Sequence, residues 1–276
     1  MGKIYFQGSF GAYSHLAALS VEPDAKIEPC KTFDECFLKA TKDNSSKIII
    51  PESNRITGNI GIEYLIFKYR LNIYAEHFHS IQHHLLGLPG AKLEDIKNVY
   101  SHAQALSQSS LFIKNKNLIE QVRADTAGSA KYVSEANDKS KAAIASNLSA
   151  EIYDLEIIEK DIQDNKENFT RFLLMGKDII QPENDDKSFI TSFLFKLKSK
   201  PAALYSALQG MAINGVNMIK LQSFPEKNSF SSYFFLCEVE GHLNQQKIKN
   251  SLEDLNYHCE DMSVLGVFEA DQIRKK

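Results

Sequence analysis

Short apolar runs alternate with stretches of helical periodicity over the first 180 residues, and no other feature constrains the fold as much. The runs at 3–6, 47–50, 73–79, 98–100, 142–144 and 171–175 have the length and composition of buried strands. Between them, 14–20, 33–41, 60–69, 103–115, 126–136 and 147–153 carry apolar residues at helical spacing. Strands that alternate with helices pack as layers, because a parallel pair needs a long crossover and the helix supplies it. The pattern predicts an α/β fold with largely parallel sheets. The late strand at 171–175 is compatible with two lobes and a chain that crosses back to the first.

Gln181-Pro182-Glu183-Asn184-Asp185-Asp186 is polar throughout and holds a proline, the composition of a domain boundary. Beyond it the order changes. A strand at 189–198 leads to a helix at 202–214, which Pro201 opens at the first turn, where its missing N–H costs nothing. Gly215 closes that helix. Strands at 216–221 and 232–240, a helix at 244–256 and a strand at 263–268 complete the series. Strand, helix, strand, strand, helix, strand in about eighty residues is the split βαβ arrangement.

A chain of 276 residues has room for both units. With 43% hydrophobic and 24% charged residues it can fill a core in each. A net charge of −3 offers no basic footprint for nucleic acid. No apolar run nears the ~18 residues that cross a bilayer. Met1-Gly2-Lys3-Ile4-Tyr5-Phe6 is too short and too polar for a signal peptide. Cys30, Cys36, Cys237 and Cys259 form no Cys-x-x-Cys pair, so neither a zinc site nor a disulfide framework is indicated, and a reducing cytoplasm is expected. His77, His79, His83 and His84 are close in sequence, yet no carboxylate or cysteine completes a compact set with them, and no metal is expected.

Five segments put polar groups where strands meet helices or strands begin. In Gly8-Ser9-Phe10-Gly11-Ala12-Tyr13-Ser14-His15 the glycines let the backbone turn and approach a ligand, and Ser14 reads as a helix cap. The strand Ile48-Ile49-Ile50 stops at Pro51 and leaves Glu52, Ser53, Asn54 and Arg55 at its C-terminal end, with Gly58 beyond. Ser101 reads as an N-cap with Gln104 three places on, a capping-box spacing that encloses His102. Asp125-Thr126-Ala127-Gly128 starts a further helix with small residues. Asn168-Phe169-Thr170-Arg171-Phe172 sets an amide, a hydroxyl and a guanidinium among aromatics at the entrance of a buried strand. Each segment alone is explained by caps and turns. Converging on one cleft, they suit a small, multiply charged anion. There is no P-loop, dinucleotide fingerprint or Ser-His-Asp spacing.

In this order the segments resemble the prephenate dehydratase family. The likeness runs through Phe6-Gln7-Gly8, Ser14-His15-Leu16-Ala17, the 51–58 loop, His84-Leu85-Leu86-Gly87, 101–106, 125–128 and Ala142-Ala143-Ile144-Ala145-Ser146. It ends on Thr170-Arg171-Phe172, which matches the family's signature, and 200–242 is similar to the family's ACT regulatory domain. The resemblance implies a periplasmic-binding-protein-like catalytic domain of two α/β lobes over 1–180, with a cleft between the lobes. It implies a βαββαβ, ferredoxin-like ACT domain over 188–272 that senses phenylalanine. The implied reaction removes water and carbon dioxide from prephenate to give phenylpyruvate, and aromatisation drives it without a cofactor.

By motif match, Thr170 assists departure of the substrate hydroxyl by donating a hydrogen bond, with Asn168 beside it. Arg171 either holds a substrate carboxylate or braces the loop, and Phe172 packs on the ring or the core. The implied substrate contacts are Gly11 and Ser14 in the first turn and Ser53, Asn54, Arg55 and Gly58 in the second loop. Ser101, His102, Gln104, Thr126 and Ala127 complete them at two helix starts. Ala203, Leu204, Asn217, Gln222 and Ser223 are the implied effector contacts. Pairing of ACT domains implies a homodimer or homotetramer.

The chain departs from the family pattern in three places. The family loop Pro-x-Glu-Asn-Ser-x-x-Gly has Ser53 for its Glu and Arg55 for its Ser, while Glu52 sits one place early and should face the other side. Arg55 brings a cation that either pairs with a substrate carboxylate or crowds the cleft. Gln222-Ser223-Phe224-Pro225 stands for Glu-Ser-Arg-Pro, and Ala202-Ala203-Leu204 for Gly-Ala-Leu. Three rivals follow: arogenate as substrate, with an amine in place of the keto group; a non-catalytic sensor; and a solute-binding protein, which the missing signal peptide disfavours.

Overall fold

A computed structural model describes residues 2–227, 229 and 232–275. These residues form two compact units. The first comprises the chain up to Lys39, Ile48–Ile60 and His77–Phe172; the second comprises Ala40–Lys47, Gly61–Glu76 and the chain from Leu173 onward.

In chain order the elements are β1 (Lys3–Gln7), α1 (Tyr13–Val21), β2 (Lys26–Cys30), α2 (Phe33–Lys42), β3 (Lys47–Asn54), β4 (Gly58–Asn59), α3 (Glu63–Tyr69) and β5 (Asn72–Ser80). They continue with β6 (His84–Gly87), β7 (Asn98–His102), α4 (Ala103–Ser107), α5 (Ser110–Asn115), β8 (Ile119–Arg123) and α6 (Thr126–Ala136). Then follow β9 (Lys141–Ala145), α7 (Asn147–Ile152), β10 (Glu156–Glu159) and β11 (Phe169–Gly176). The C-terminal series is β12 (Phe189–Leu197), α8 (Ala203–Ile213), β13 (Met218–Pro225), β14 (Tyr233–Glu240), α9 (Gln246–His258) and β15 (Cys259–Glu269).

One sheet has the order β2-β1-β3-β11-β5, with β4 on β3. Ile48, Ile49 and Ile50 are all fully buried, as expected of a central strand covered on both faces. A second sheet has the order β10-β6-β9-β7-β8. Its alternation is legible in β9: Ala142 and Ile144 join Leu85, Val99 and Leu106 on one face, while Ala143 and Ala145 join Leu86, Ala130 and Val133 on the other. The alanines let α6 lie close to the strand.

Several expectations change here. The second sheet is mixed, not largely parallel: β7 pairs parallel with β8 and β9, but β6 runs antiparallel to β9 and β10. Strand β6 enters this sheet directly from β5 of the other sheet, without a helical crossover that would set it parallel to a neighbour. Strand β3 does not stop at Pro51 but reaches Asn54, because Ser53 and Asn54 pair with Asn59 and Gly58 of β4. The single helix expected at 103–115 is two, broken at Gln108 and Ser109, where Asp164 accepts from Leu111 N and Ser110 Oγ and caps the second piece. The helix expected from residue 60 begins at Glu63.

In the second unit a sheet of order β13-β14-β12-β15 is antiparallel at every pair, the split βαβ arrangement. Phe193, Val239 and Cys237 of the sheet pack with Ala207 and Met211 of α8 and Ile248, Leu252 and Leu255 of α9. Helix α8 begins at Ala203 and not at the position after Pro201, because Ala202 adopts a left-handed conformation (φ 57°) that breaks the helical path. Such a conformation costs a residue with a Cβ about 1–2 kcal/mol.

The segment 181–186 lies inside this unit, which runs from Leu173 onward and also takes in α3 and the start of β5. Phe67 lies 4.0 Å, centroid to centroid, from Phe234, Arg70 pairs with Asp261 and donates to Ser263, and Arg274 forms a two-pronged pair with the buried Glu76 at 2.6 and 2.8 Å. Among the described residues, no helix is long and apolar enough to cross a membrane.

Candidate active site

A cleft of about 540 Å³ lies in the first unit, a volume in the range of small-molecule sites. Gly8, Tyr13 and Ser14 reach it from the β1–α1 turn, and Pro51, Asn54 and Thr57 from the end of β3. Thr170 and Phe172 project from β11. His83 comes from just before β6, His102 from the end of β7, Gln104 and Gln108 from α4 and its C-cap, and Asp125 and Thr126 from the start of α6.

Hydrogen bonds set the amide orientations around Thr170. Ile56 N and Thr57 N donate to Asn54 Oδ1 at 3.0 and 3.1 Å, so the Asn54 nitrogen faces the opposite way. It donates to Asn168 Oδ1 (2.8 Å) and Thr170 Oγ1 (2.9 Å), with Phe169 O at 3.2 Å. Thr170, 8% exposed, therefore has its oxygen engaged as an acceptor and its hydrogen left to donate into the cleft. Asn168, fully buried, passes the polarity on: its Nδ2 donates to Gln108 Oε1 at 3.0 Å.

The same oxygen lies 3.0 Å from His83 Nε2, so Nε2 carries the imidazole proton and Nδ1 is an acceptor. The Tyr13 hydroxyl, 2.8 Å from that Nδ1 and 2.7 Å from Gln82 O, serves both with its one hydrogen. Gln108 Nε2 is buried without a partner among the described residues, a donor pair left over in a group that lines the cleft.

Burial pushes the His83 imidazole down to about 4, opposed in part by the Gln108 hydrogen bond. An unfolded imidazole takes up its proton near 6.5. The unfolded chain thus binds more protons between these values, and stability present above the unfolded value is lost as pH falls through the window. From pH 7 to pH 5 this group alone should remove about 2 kcal/mol. Urea unfolding at the two pH values checks this, and His83→Gln should show the smaller difference.

Ser14 lines the cleft but is no cap; Ala12 holds that position, and no side chain caps α1. Ser101 is no cap either. It belongs to β7, is fully buried and donates to Ile144 O at 2.6 Å, while His102 caps α4 through Nδ1. Gln104 reaches Thr57 Oγ1 at 2.9 Å. Thr126 is at the cleft, whereas Ala127 is buried in the α6 core face. Gly11 is not at the cleft. It holds φ +91° where a Cβ would strike Ser149, and its carbonyl accepts from Ser146 and Ser149.

Of the 51–58 loop Pro51, Asn54 and Thr57 line the cleft, followed by Asn59 and Ile60 just beyond the loop. Ser53 donates to Glu52 at 2.7 Å, and Gly58 is exposed at the hairpin. Arg55 neither crowds the cleft nor offers it a cation, since its guanidinium is exposed and pairs with Glu167 at 3.1 Å. Arg171 braces the loop: it is buried and pairs with buried Glu52 at 3.2 Å, on the side away from Thr170 and Phe172. The residues that sequence reasoning passed over are Tyr13, His83, Gln108 and Asp125. Each sits inside or beside a segment already singled out, but only the fold decides which members of a segment face the cleft.

A family model described as "Prephenate dehydratase" matches residues 4–179. The bifunctional N-acyl-homoserine lactone acylase/prephenate dehydratase of Komagataeibacter europaeus is 35% identical over 99% of this chain and 98% of its own. Arogenate dehydratase 2 of Petunia hybrida is 34% identical over 98% of this chain and 72% of its own. The crystal structure of prephenate dehydratase in complex with L-Phe from Arthrobacter aurescens superposes with a TM-score of 0.87 at 25% identity, covering 97% of this chain and 90% of that one.

Proposed function

The chain belongs to the prephenate dehydratase family, and we infer that it carries out the decarboxylative dehydration of prephenate to phenylpyruvate. The observation that carries this reading is the Thr170 hydroxyl, held as a donor into the cleft by the Asn54 amide at 2.9 Å. Prephenate and one proton give phenylpyruvate, water and carbon dioxide. As the C–O bond to the ring hydroxyl breaks, the Thr170 hydrogen bond stabilises charge growing on the departing oxygen. The ring carboxylate leaves as carbon dioxide, its bonding pair enters the ring, and aromatisation makes the step irreversible. The threonine is too weak an acid to ionise, so the proton on the released water comes ultimately from solvent.

Binding of the retained carboxylate falls to α1. Ala12, Tyr13 and Ser14 all line the cleft and no side chain caps the turn; Ala12 N donates to Ser9 O and His15 N to Ala12 O, so Tyr13 N and Ser14 N are the amides that can serve an anion. Gln108 Nε2 offers a further donor from the C-terminal end of α4. Asn168 and Arg171 act as positioning residues, the first through Asn54 and Gln108, the second through Glu52.

The C-terminal unit is read as an ACT domain that responds to L-phenylalanine. Its split βαβ sheet and the phenylalanine complex of the Arthrobacter aurescens protein support this. Ala203 and Leu204 open α8, Asn217 donates to Glu240 at 2.8 Å, and Gln222 holds a buried oxygen without a partner among the described residues. Ser223 lies opposite Phe235 on the sheet edge. Four free, buried thiols support a reducing compartment, the cytoplasm. Purified protein incubated with prephenate at neutral pH should release phenylpyruvate, and added L-phenylalanine should change the rate. No turnover above the uncatalysed reaction would sink the dehydratase reading.

A further inference from the structure

Among the described residues that line the cleft there is no lysine or arginine, so an anion there is held by neutral donors, and the direction of each amide decides how many it meets. The Gln108 carbonyl end accepts twice, from Asn168 Nδ2 and from His83 Nε2, both at 3.0 Å. Its Nε2 is buried at the cleft with no partner among the described residues, which points to a ligand that accepts. Turned over, the amide would put Oε1 there instead and repel a carboxylate. Which way it faces depends on the His83 tautomer. The Tyr13 hydroxyl has one hydrogen and two acceptors in reach, Gln82 O at 2.7 Å and His83 Nδ1 at 2.8 Å. Shared with Nδ1, that hydrogen leaves the imidazole proton on Nε2 and the Gln108 NH2 facing the cleft. Given wholly to Gln82 O, it lets Nδ1 carry the proton and donate to the Tyr13 oxygen. Nε2 then accepts, and Gln108 satisfies it only by turning its NH2 away from the ligand.

We propose that Tyr13 and His83 are positioning residues of the cleft: the Tyr13 hydrogen fixes the His83 tautomer, and His83 holds the Gln108 amide so that its NH2 binds the carboxylate that the substrate keeps. This rests on the dehydratase reading above and deepens it. His83 is 2% exposed, so water does not replace the hydrogen that Tyr13 supplies. Asn168, held by Asn54 at 2.8 Å, secures the same amide from the Thr170 side. The Thr170 hydroxyl and the Gln108 donor are thus oriented by one connected set of bonds. The retained carboxylate takes no part in bond breaking, so its contact is made alike in the ground state and the transition state. Loss of that contact raises KM and leaves kcat.

Nitrogen-15 spectra of the imidazole rings at neutral pH read the tautomer directly, with His83→Gln identifying the His83 signals by their loss. The wild type should carry the proton on Nε2. Tyr13→Phe keeps the ring, removes the hydroxyl and should move much of that proton to Nδ1. With prephenate, Tyr13→Phe should raise KM about five- to tenfold with kcat within about twofold, the worth of one misdirected hydrogen bond. In a Gln108→Met background the same substitution should change KM by less than about twofold, because it acts through an amide that is gone. A His83 proton on Nδ1 in the wild type, a Tyr13→Phe KM within about twofold of wild type, or an equal KM rise in the Gln108→Met background overturns the assignment. Calorimetric titration of phenylpyruvate, which keeps the carboxylate beside a keto group, reads the binding effect without turnover, and Tyr13→Phe should weaken it by the same about five- to tenfold. Absence of turnover with prephenate in the wild type therefore counts against the dehydratase reading, while the tautomer and phenylpyruvate binding still decide on Tyr13 and His83.

Discussion

Thr170→Ala should lower kcat with prephenate by about 10²–10³, with KM changed only a few-fold, because the hydroxyl acts on charge that appears in the transition state and not in the ground state. The loss matches that of removing one well-placed donor from a site that stabilises a departing or developing oxyanion. The fold should be unaffected. Asn54 retains Asn168 Oδ1 and Phe169 O as acceptors at 2.8 and 3.2 Å, so no buried donor is orphaned. Thr170→Ser keeps the hydroxyl on the same Cβ and should recover most of the rate. Steady-state kinetics with circular dichroism of each variant check both statements. A Thr170→Ala enzyme within about threefold of wild type in kcat would remove the hydroxyl from the mechanism.

Arg171→Leu should destabilise the protein by about 3–5 kcal/mol, because it leaves the Glu52 carboxylate buried without its cation. Side-chain exposures of 5% for Arg171 and 2% for Glu52 put the pair out of reach of solvent screening. The double variant Arg171→Leu/Glu52→Leu should regain most of that stability, since replacing both members with apolar groups removes the uncompensated charge. Urea unfolding followed by far-UV circular dichroism is the suitable measurement, as the chain has no tryptophan. If Arg171 held a substrate carboxylate instead, the single variant would raise KM steeply at unchanged stability. The geometry argues for the first outcome, because Arg171 faces away from the cleft that Thr170 and Phe172 line.

Much of the fold was legible from local pattern. Helix Thr126–Ala136 has the predicted bounds, and β1, β5, β7, β9 and β11 lie within one or two residues of their apolar runs. The short strands β4 and β6 were missed, and so were the edge strands β2, β8 and β10. The last three carry Lys26-Ile27-Glu28-Pro29-Cys30, Ile119-Glu120-Gln121-Val122-Arg123 and Glu156-Ile157-Ile158-Glu159, polar edge sequences with too few buried positions to give an apolar signal. At the site, the segments that build the cleft were identified but not the facing of their members. Ser101 has a capping-box spacing and is nonetheless a strand residue, because pairing of β7 with β8 extends past it to His102 and outweighs a single cap.

The order of apolar runs, the proline-bearing linker and the Thr170-Arg171-Phe172 motif were enough to determine the α/β class, the split βαβ C-terminal unit and the family, because these are written in short-range periodicity and in residue identity. The tertiary structure alone decided that the Thr170 hydroxyl accepts from Asn54, that Arg171 pairs with Glu52, that Arg55 pairs with Glu167 outside the cleft and that Asp125 caps α6. Each of these depends on which groups from distant segments come within hydrogen-bonding distance, as Asn54 does with Asn168 and Thr170 across more than a hundred residues. A local pattern carries no information about such partners, and it is the partner that sets whether a hydroxyl gives or takes its hydrogen and whether a charge is spent or free.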